Sequence, residues 1–117
     1  MTYDTQNVFA KILRKEIPAS VVFEDERCVA FRDVAPAAPT HVLVIPKIPI
    51  ATLADASVEQ RDLLGHLLWV AGEVARRLDL VANGFRVVIN NGAGAQQSVF
   101  HLHVHVLAGR PFAWPPG

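Results

Sequence analysis

The stretch Gln97-Ser98-Val99-Phe100-His101-Leu102-His103-Val104-His105-Val106 limits the fold more than any other. Side chains on a strand repeat every second residue. The alternation therefore predicts a β-strand with His101, His103 and His105 on one face and Leu102, Val104 and Val106 on the other. β-branched and aromatic neighbours favour the same conformation. Burying the apolar face holds three imidazoles in a fixed row, as groups that must meet a substrate require. Three of the chain's five histidines sit on that row, a concentration that a merely solvated face leaves unexplained. A zinc site is a second reading. Same-face neighbours on a strand lie roughly 6–7 Å apart at Cα, so two can share an ion, but three in line converge poorly on a tetrahedral centre. No Asp, Glu or second Cys lies close in sequence to complete the set. Nucleophilic catalysis is the third: one imidazole attacks while its neighbours orient it and hold an anion. Spacing alone leaves all three open.

A chain of 117 residues that is 51% hydrophobic, 19% charged and formally neutral reads as one ordered domain, residues 1–117. Neutrality argues against a broad nucleic-acid surface, while leaving room for a small polyanion held locally. A single cysteine, Cys28, excludes an internal disulfide framework and a multi-cysteine zinc site; in Cys28-Val29-Ala30-Phe31 it reads as core filler. Met1-Thr2-Tyr3-Asp4 is no signal peptide and no apolar run reaches bilayer length, so no membrane partner and a cytoplasmic location are expected.

Along the chain, Val8, Phe9, Ile12 and Leu13 recur at helical spacing behind Asn7, a candidate N-cap, and Pro18 ends that helix near Glu16. Residues 20–24 and 28–32 read as a hairpin around Asp25-Glu26-Arg27. Asp33 closes the second strand, either as a turn former or as an acceptor for two vicinal hydroxyls. Residues 40–47 form a nearly all-apolar and hence central strand that starts with His41. Lys47 follows it, and solvent exposure is its simplest fate. Ser57 and Gln60 fit a capping box ahead of a helix running to about Leu78. Leu63, Leu64, Leu67, Leu68, Val70, Ala71, Val74, Ala75 and Leu78 cover its inward arc, with Trp69 outward beside Gly65 and Gly72 as a subunit contact. Residues 85–90 are a fourth strand, and the small residues from Asn91 to Ser98 let backbone N–H groups approach an anion. The tail, with Trp114 between prolines, is expected to dock across a site or a partner.

His101-Leu102-His103-Val104-His105-Val106 resembles the histidine-triad pattern. Phe9-Ala10-Lys11-Ile12, Lys15-Glu16-Ile17-Pro18, Phe23-Glu24-Asp25, Ala38-Pro39-Thr40-His41, Val44-Ile45-Pro46-Lys47, Gly65-His66-Leu67, Gln97-Ser98-Val99 and Trp114-Pro115-Pro116-Gly117 extend the likeness over nearly the whole chain. Together they resemble the histidine-triad nucleotide-binding (Hint) branch. The resemblance implies an α+β fold: a five-stranded antiparallel sheet with a short N-terminal helix and one long helix. It also implies a homodimer, through the long helix around Trp69 and an edge strand, that joins two sheets into ten strands. The implied activity is a purine nucleoside phosphoramidase acting on AMP or GMP linked to amines, with no metal or cofactor required. Carried over, His103 is the nucleophile, and His105 holds a phosphate oxygen and assists the leaving group. His101 and His41 fix the tautomers. Ser98 and Gln97 bond the phosphate and leaving group, with Asn90 nearby. Asp33 takes the ribose hydroxyls, and Val8, Phe9, Ile12, Ile17, Phe31 and Val34 wall the base. Arg32 and Gln96 stand where the family commonly has His and Gly. The alternatives are a dinucleoside polyphosphate hydrolase, a nucleotide-binding or scaffold protein with incidental catalysis, and a zinc-binding module.

Overall fold

The apolar segments between the turns pair edge to edge as one antiparallel sheet. The computed structural model describes residues 2–117. Its strands are β1 (Val21–Glu24), β2 (Cys28–Arg32), β3 (Thr40–Pro46), β4 (Phe85–Val88) and β5 (Val104–Ala108), in the order β1-β2-β3-β5-β4. The two helices are α1 (Val8–Leu13) and α2 (Arg61–Arg77). The β1–β2 turn is closed by Asp25, whose Oδ1 accepts the N–H groups of Arg27 at 2.8 Å and Cys28 at 2.9 Å. The expected hairpin, the central position of β3 and the five-stranded sheet with one short and one long helix are all present.

Strand alternation divides the core in two. Ala30, Val42, Val44, Val104 and Val106 face α2, which buries Leu63, Leu67, Val70, Ala71 and Val74 against them. Val29, Phe31, Leu43 and Ile45 face the other way and pack on Phe9 of α1, with Ile12 and Leu13 partly buried beside them. The register sets Leu43 opposite His105 and Val44 opposite Val104, so the histidine face of β5 shares its side of the sheet with α1.

Several boundaries differ from the sequence reading. Regular pairing of the histidine strand starts at Val104, not upstream of His101. The facing strand supplies the reason: it ends at Pro46, which has no N–H, and the Pro46 carbonyl is taken by the His101 ring. The Leu102 N–H turns instead to the Ile50 carbonyl at 2.7 Å. Helix α1 is capped by Asn7 as expected, its side chain accepting from Ala10 N–H at 2.9 Å. It ends at Leu13, because Lys15 turns left-handed with φ 63°. The Ser57–Gln60 box closes a 3₁₀ turn, with the Gln60 side chain accepting from Ser57 N–H at 2.8 Å, and α2 proper begins at Arg61. Strand β4 stops at Val88 instead of reaching Asn90. Leu68 falls on the arc the spacing predicts to be buried, yet it is 51% exposed, next to the 54% exposed Trp69. Lys47 pairs with Glu24 at 2.8 Å. Trp114 is 81% exposed rather than docked on its own chain; the tail is held by Ala113, whose carbonyl accepts from Arg86 Nη2 at 2.9 Å. Among the described residues no helix is long and apolar enough to cross a membrane.

Candidate active site

A cavity of about 410 Å³ opens between α1, the end of β2 and the entry to β5. Its apolar wall contains Val8, Phe9, Ile12, Ile17, Phe31 and Val34. Its polar end is formed by Asp33, Ser98, His103 and His105, with Arg32 and Gln96 also on the lining. His103 and His105 meet edge to face at 4.9 Å between ring centroids, and Phe9 lies edge-on to His103 at 5.0 Å.

Fixed backbone partners dictate which nitrogen of each ring carries hydrogen. A carbonyl only accepts, so the 2.9 Å contact with the Pro46 oxygen places hydrogen on His101 Nε2. His101 Nδ1 then accepts from the Tyr3 hydroxyl at 2.6 Å. The His101 carbonyl is 2.7 Å from His103 Nδ1, which must therefore be the N–H, leaving a lone pair on His103 Nε2. On the other side the Ala37 N–H donates to His41 Nδ1 at 3.0 Å, so His41 carries hydrogen on Nε2. That hydrogen is donated to His105 Nδ1 at 2.8 Å, which puts the His105 hydrogen on Nε2. Among the described residues, His105 Nε2 is the buried side-chain polar atom with no partner. Both rings lining the cavity thus keep Nε2 for a ligand, with opposite polarity: a lone pair on His103 and an N–H on His105.

Burial is the main cause that pulls His103 below imidazole's ordinary pKa, opposed by the His101 carbonyl and by Asp33. Burial also takes His105 down to about 4, helped by His103 and His41, and lowers His101 and His41. At neutral pH the rings are uncharged, and His103 Nε2 is available as a nucleophile.

Residues 14–112 match the HIT domain family. An "Uncharacterized HIT-like protein" of Synechocystis sp. is 57% identical over 117 residues, all of both chains. The chain belongs to the HIT domain family. A "14 kDa zinc-binding protein" of Zea mays is 51% identical over 116 residues, 97% of this chain and 90% of that protein. Among solved structures, a HIT family hydrolase from Legionella pneumophila superposes with a TM-score of 0.92 at 46% identity, covering 96% of this chain and 100% of its own. A histidine triad nucleotide-binding protein from Candida albicans gives a TM-score of 0.81 at 32% identity, covering 96% and 85%.

In this HIT domain, ten of the fourteen sequence-nominated site residues line one cavity: the six wall residues with Asp33, Ser98, His103 and His105. His41 and His101 stand behind it: the His41 ring bonds the His105 ring, and His101 reaches His103 through its backbone carbonyl. Asp33 serves two ends. Its Oδ1 accepts from Ala35 N–H at 2.9 Å, and its Oδ2 lies 3.6 Å from His41 Nε2. Gln97 is a correction: it is buried and does not line the cavity. Its Nε2 donates to the Ala51 and Val99 carbonyls and its Oε1 accepts from Gly92 N–H, so both amide hydrogens are spent bracing the loop. Asn90 also lies off the lining, beyond the end of β4. Sequence reasoning missed Tyr3, the partner of His101, because the two are 98 positions apart and a tyrosine near a terminus carries no pattern. A second cavity of about 480 Å³, on the far side of Ile12 and Ile17, is lined by Lys15, Glu24 and Lys47 and contains no histidine.

Proposed function

We propose that this HIT domain is a purine nucleoside phosphoramidase of the Hint type. The observation that carries the reading is His103 Nε2, a neutral lone pair at the cavity's polar end whose opposite nitrogen is pinned by its own chain. The apolar slot takes a purine base by packing, and Asp33 takes the ribose hydroxyls. His103 Nε2 attacks the α-phosphorus and the P–N bond breaks. The departing amine takes its proton from water at the mouth of the cavity, while the His105 Nε2–H holds a phosphate oxygen. Water then attacks the nucleotidyl-imidazole, gives up a proton to water at the cavity mouth, and releases the nucleotide with His103 restored. Ser98 bonds the phosphate from the loop. The test is single-turnover reaction with an adenosine phosphoramidate. A nucleotidyl-enzyme should form on His103, and His103→Ala should remove it together with turnover; undiminished turnover in that variant refutes the assignment. A dinucleoside polyphosphate assayed on the same preparation separates the hydrolase alternative.

A homodimer is part of this reading. The adjacent exposed Leu68 and Trp69 on α2, the edge position of β4 and the free Trp114 support it, and sedimentation equilibrium tests it. The maize relative's name supports a second and compatible reading, zinc binding, which metal uptake by the purified chain tests.

A further inference from the structure

On the face of the sheet opposite the cavity, three side chains of different chemistry converge where the β1–β2 turn meets α2. Asp25, Cys28 and His66 each bring one ligand atom within 4.8 Å of the others. Asp25 is set by its two backbone N–H bonds through Oδ1, which leaves Oδ2 to face His66 Nε2 at 2.6 Å. His66 is steadied from its other side by Trp69, stacked at 6.2 Å with 14° between the planes. Cys28 sits fully buried at the start of β2 and closes the triangle from the core.

We propose that Asp25, Cys28 and His66 form a binding site for a zinc-type divalent ion that staples the hairpin turn to α2. The proposal rests on the zinc-binding reading and gives it a place. Three features support it. First, the donors are one sulfur, one nitrogen and one oxygen, the mixture that zinc accepts in tetrahedral sites and that magnesium and calcium do not favour. Metal bonds of roughly 2.0–2.3 Å set tetrahedral donors roughly 3.3–3.8 Å apart, within reach of small side-chain rotations from the observed triangle. Second, the charge balances: a carboxylate and a thiolate neutralise a divalent ion, so the site can sit half-buried without stranding charge. Burial and the neighbouring carboxylate lift the Cys28 thiol to about 12, so the ion must displace its proton, and one proton leaves per ion bound. Third, Asp25 and His66 are each about one-fifth exposed at the side chain, which leaves water a way to a fourth position. Among the described residues no other group of three or more His, Cys, Asp or Glu side chains brings its ligand atoms this close together.

The test uses the purified full chain, stripped with chelator and titrated with cobalt(II), then with zinc in competition. One ion per chain is expected, with a thiolate-to-cobalt charge-transfer band. His66→Asn should weaken uptake at least about tenfold. Cys28→Ala should abolish the band, and His103→Ala should alter neither. Because Cys28 is in the core, His66→Asn on the outer face serves as the variant whose fold is checked and retained. No uptake at all overturns both this site and the zinc-binding reading. Uptake without the band, lost in His103→Ala and kept in His66→Asn, preserves zinc binding and overturns this site.

Discussion

Acidification should destabilise this fold as its buried histidines are forced to take up protons, and the share of one ring, His105, should be measurable. His105 has its pKa lowered from 6.5 to about 4, chiefly by burial. As pH falls the unfolded chain therefore protonates first. The contribution of the neutral buried ring is complete above the exposed-imidazole value and is lost progressively on the way down to about 4. Each such histidine contributes a slope of at most about 1.4 kcal/mol per pH unit. For His105 alone, moving from about pH 7.5 to about pH 5 removes about 2 kcal/mol. His41, His101 and His103 are lowered in the same direction and steepen the decline. Against the roughly 5–15 kcal/mol of an ordinary domain, the effect is large enough to measure. Urea unfolding followed by circular dichroism at the two pH values gives the difference. His105→Gln, whose amide oxygen still accepts from His41 and does not titrate, should shrink it by about 2 kcal/mol. If the parent is equally stable at both pH values, or the variant declines as steeply as the parent, the rings are not held neutral and the tautomer assignment fails.

Three further outcomes are expected. Leu67→Ala opens a hole at the buried face of α2 and should cost about 2–5 kcal/mol by denaturant titration, with the histidine geometry untouched. Gly109 has φ +100° and a Cβ there would lie 2.7 Å from Pro39 Cβ, so Gly109→Ala should lower stability by more than about 1 kcal/mol, read as a reduced melting temperature. Asp33→Asn keeps the turn bond to Ala35 but loses the charge. Steady-state kinetics on an adenosine phosphoramidate should show KM rising about tenfold with a smaller change in kcat, the signature of a lost ground-state contact.

The sheet was legible because its information is local. Continuous apolar runs in residues 28–31 and 42–46 and a turn at Asp25 specify the hairpin and the central strand within short windows. The inward arc of α2 was legible for the same reason, except at Leu68, where the arc's margin faces outward and nothing local says where the sheet ends. The histidine strand shows the limit. Its alternation placed the rings correctly, but where pairing starts depends on Pro46, which is distant in sequence and has no hydrogen to give. Gln97 failed in a similar way: its neighbours in sequence suggest an anion loop, while its amide is used up by Ala51, Val99 and Gly92. Tyr3 and the Asp25–Cys28–His66 triangle depend on contacts between distant segments, which periodicity does not encode.

The hydrogen placement behind the cavity is moored to main-chain atoms at two points, the amide of residue 37 acting through His41 and the carbonyl of residue 101. Main-chain atoms have no pKa in the working range and survive nearly every amino-acid exchange. The wiring of the two outward nitrogens is thus insulated from sequence drift at its anchorages. Ala37, exposed and otherwise unremarked, can become almost anything except proline, the one residue that would cut the line.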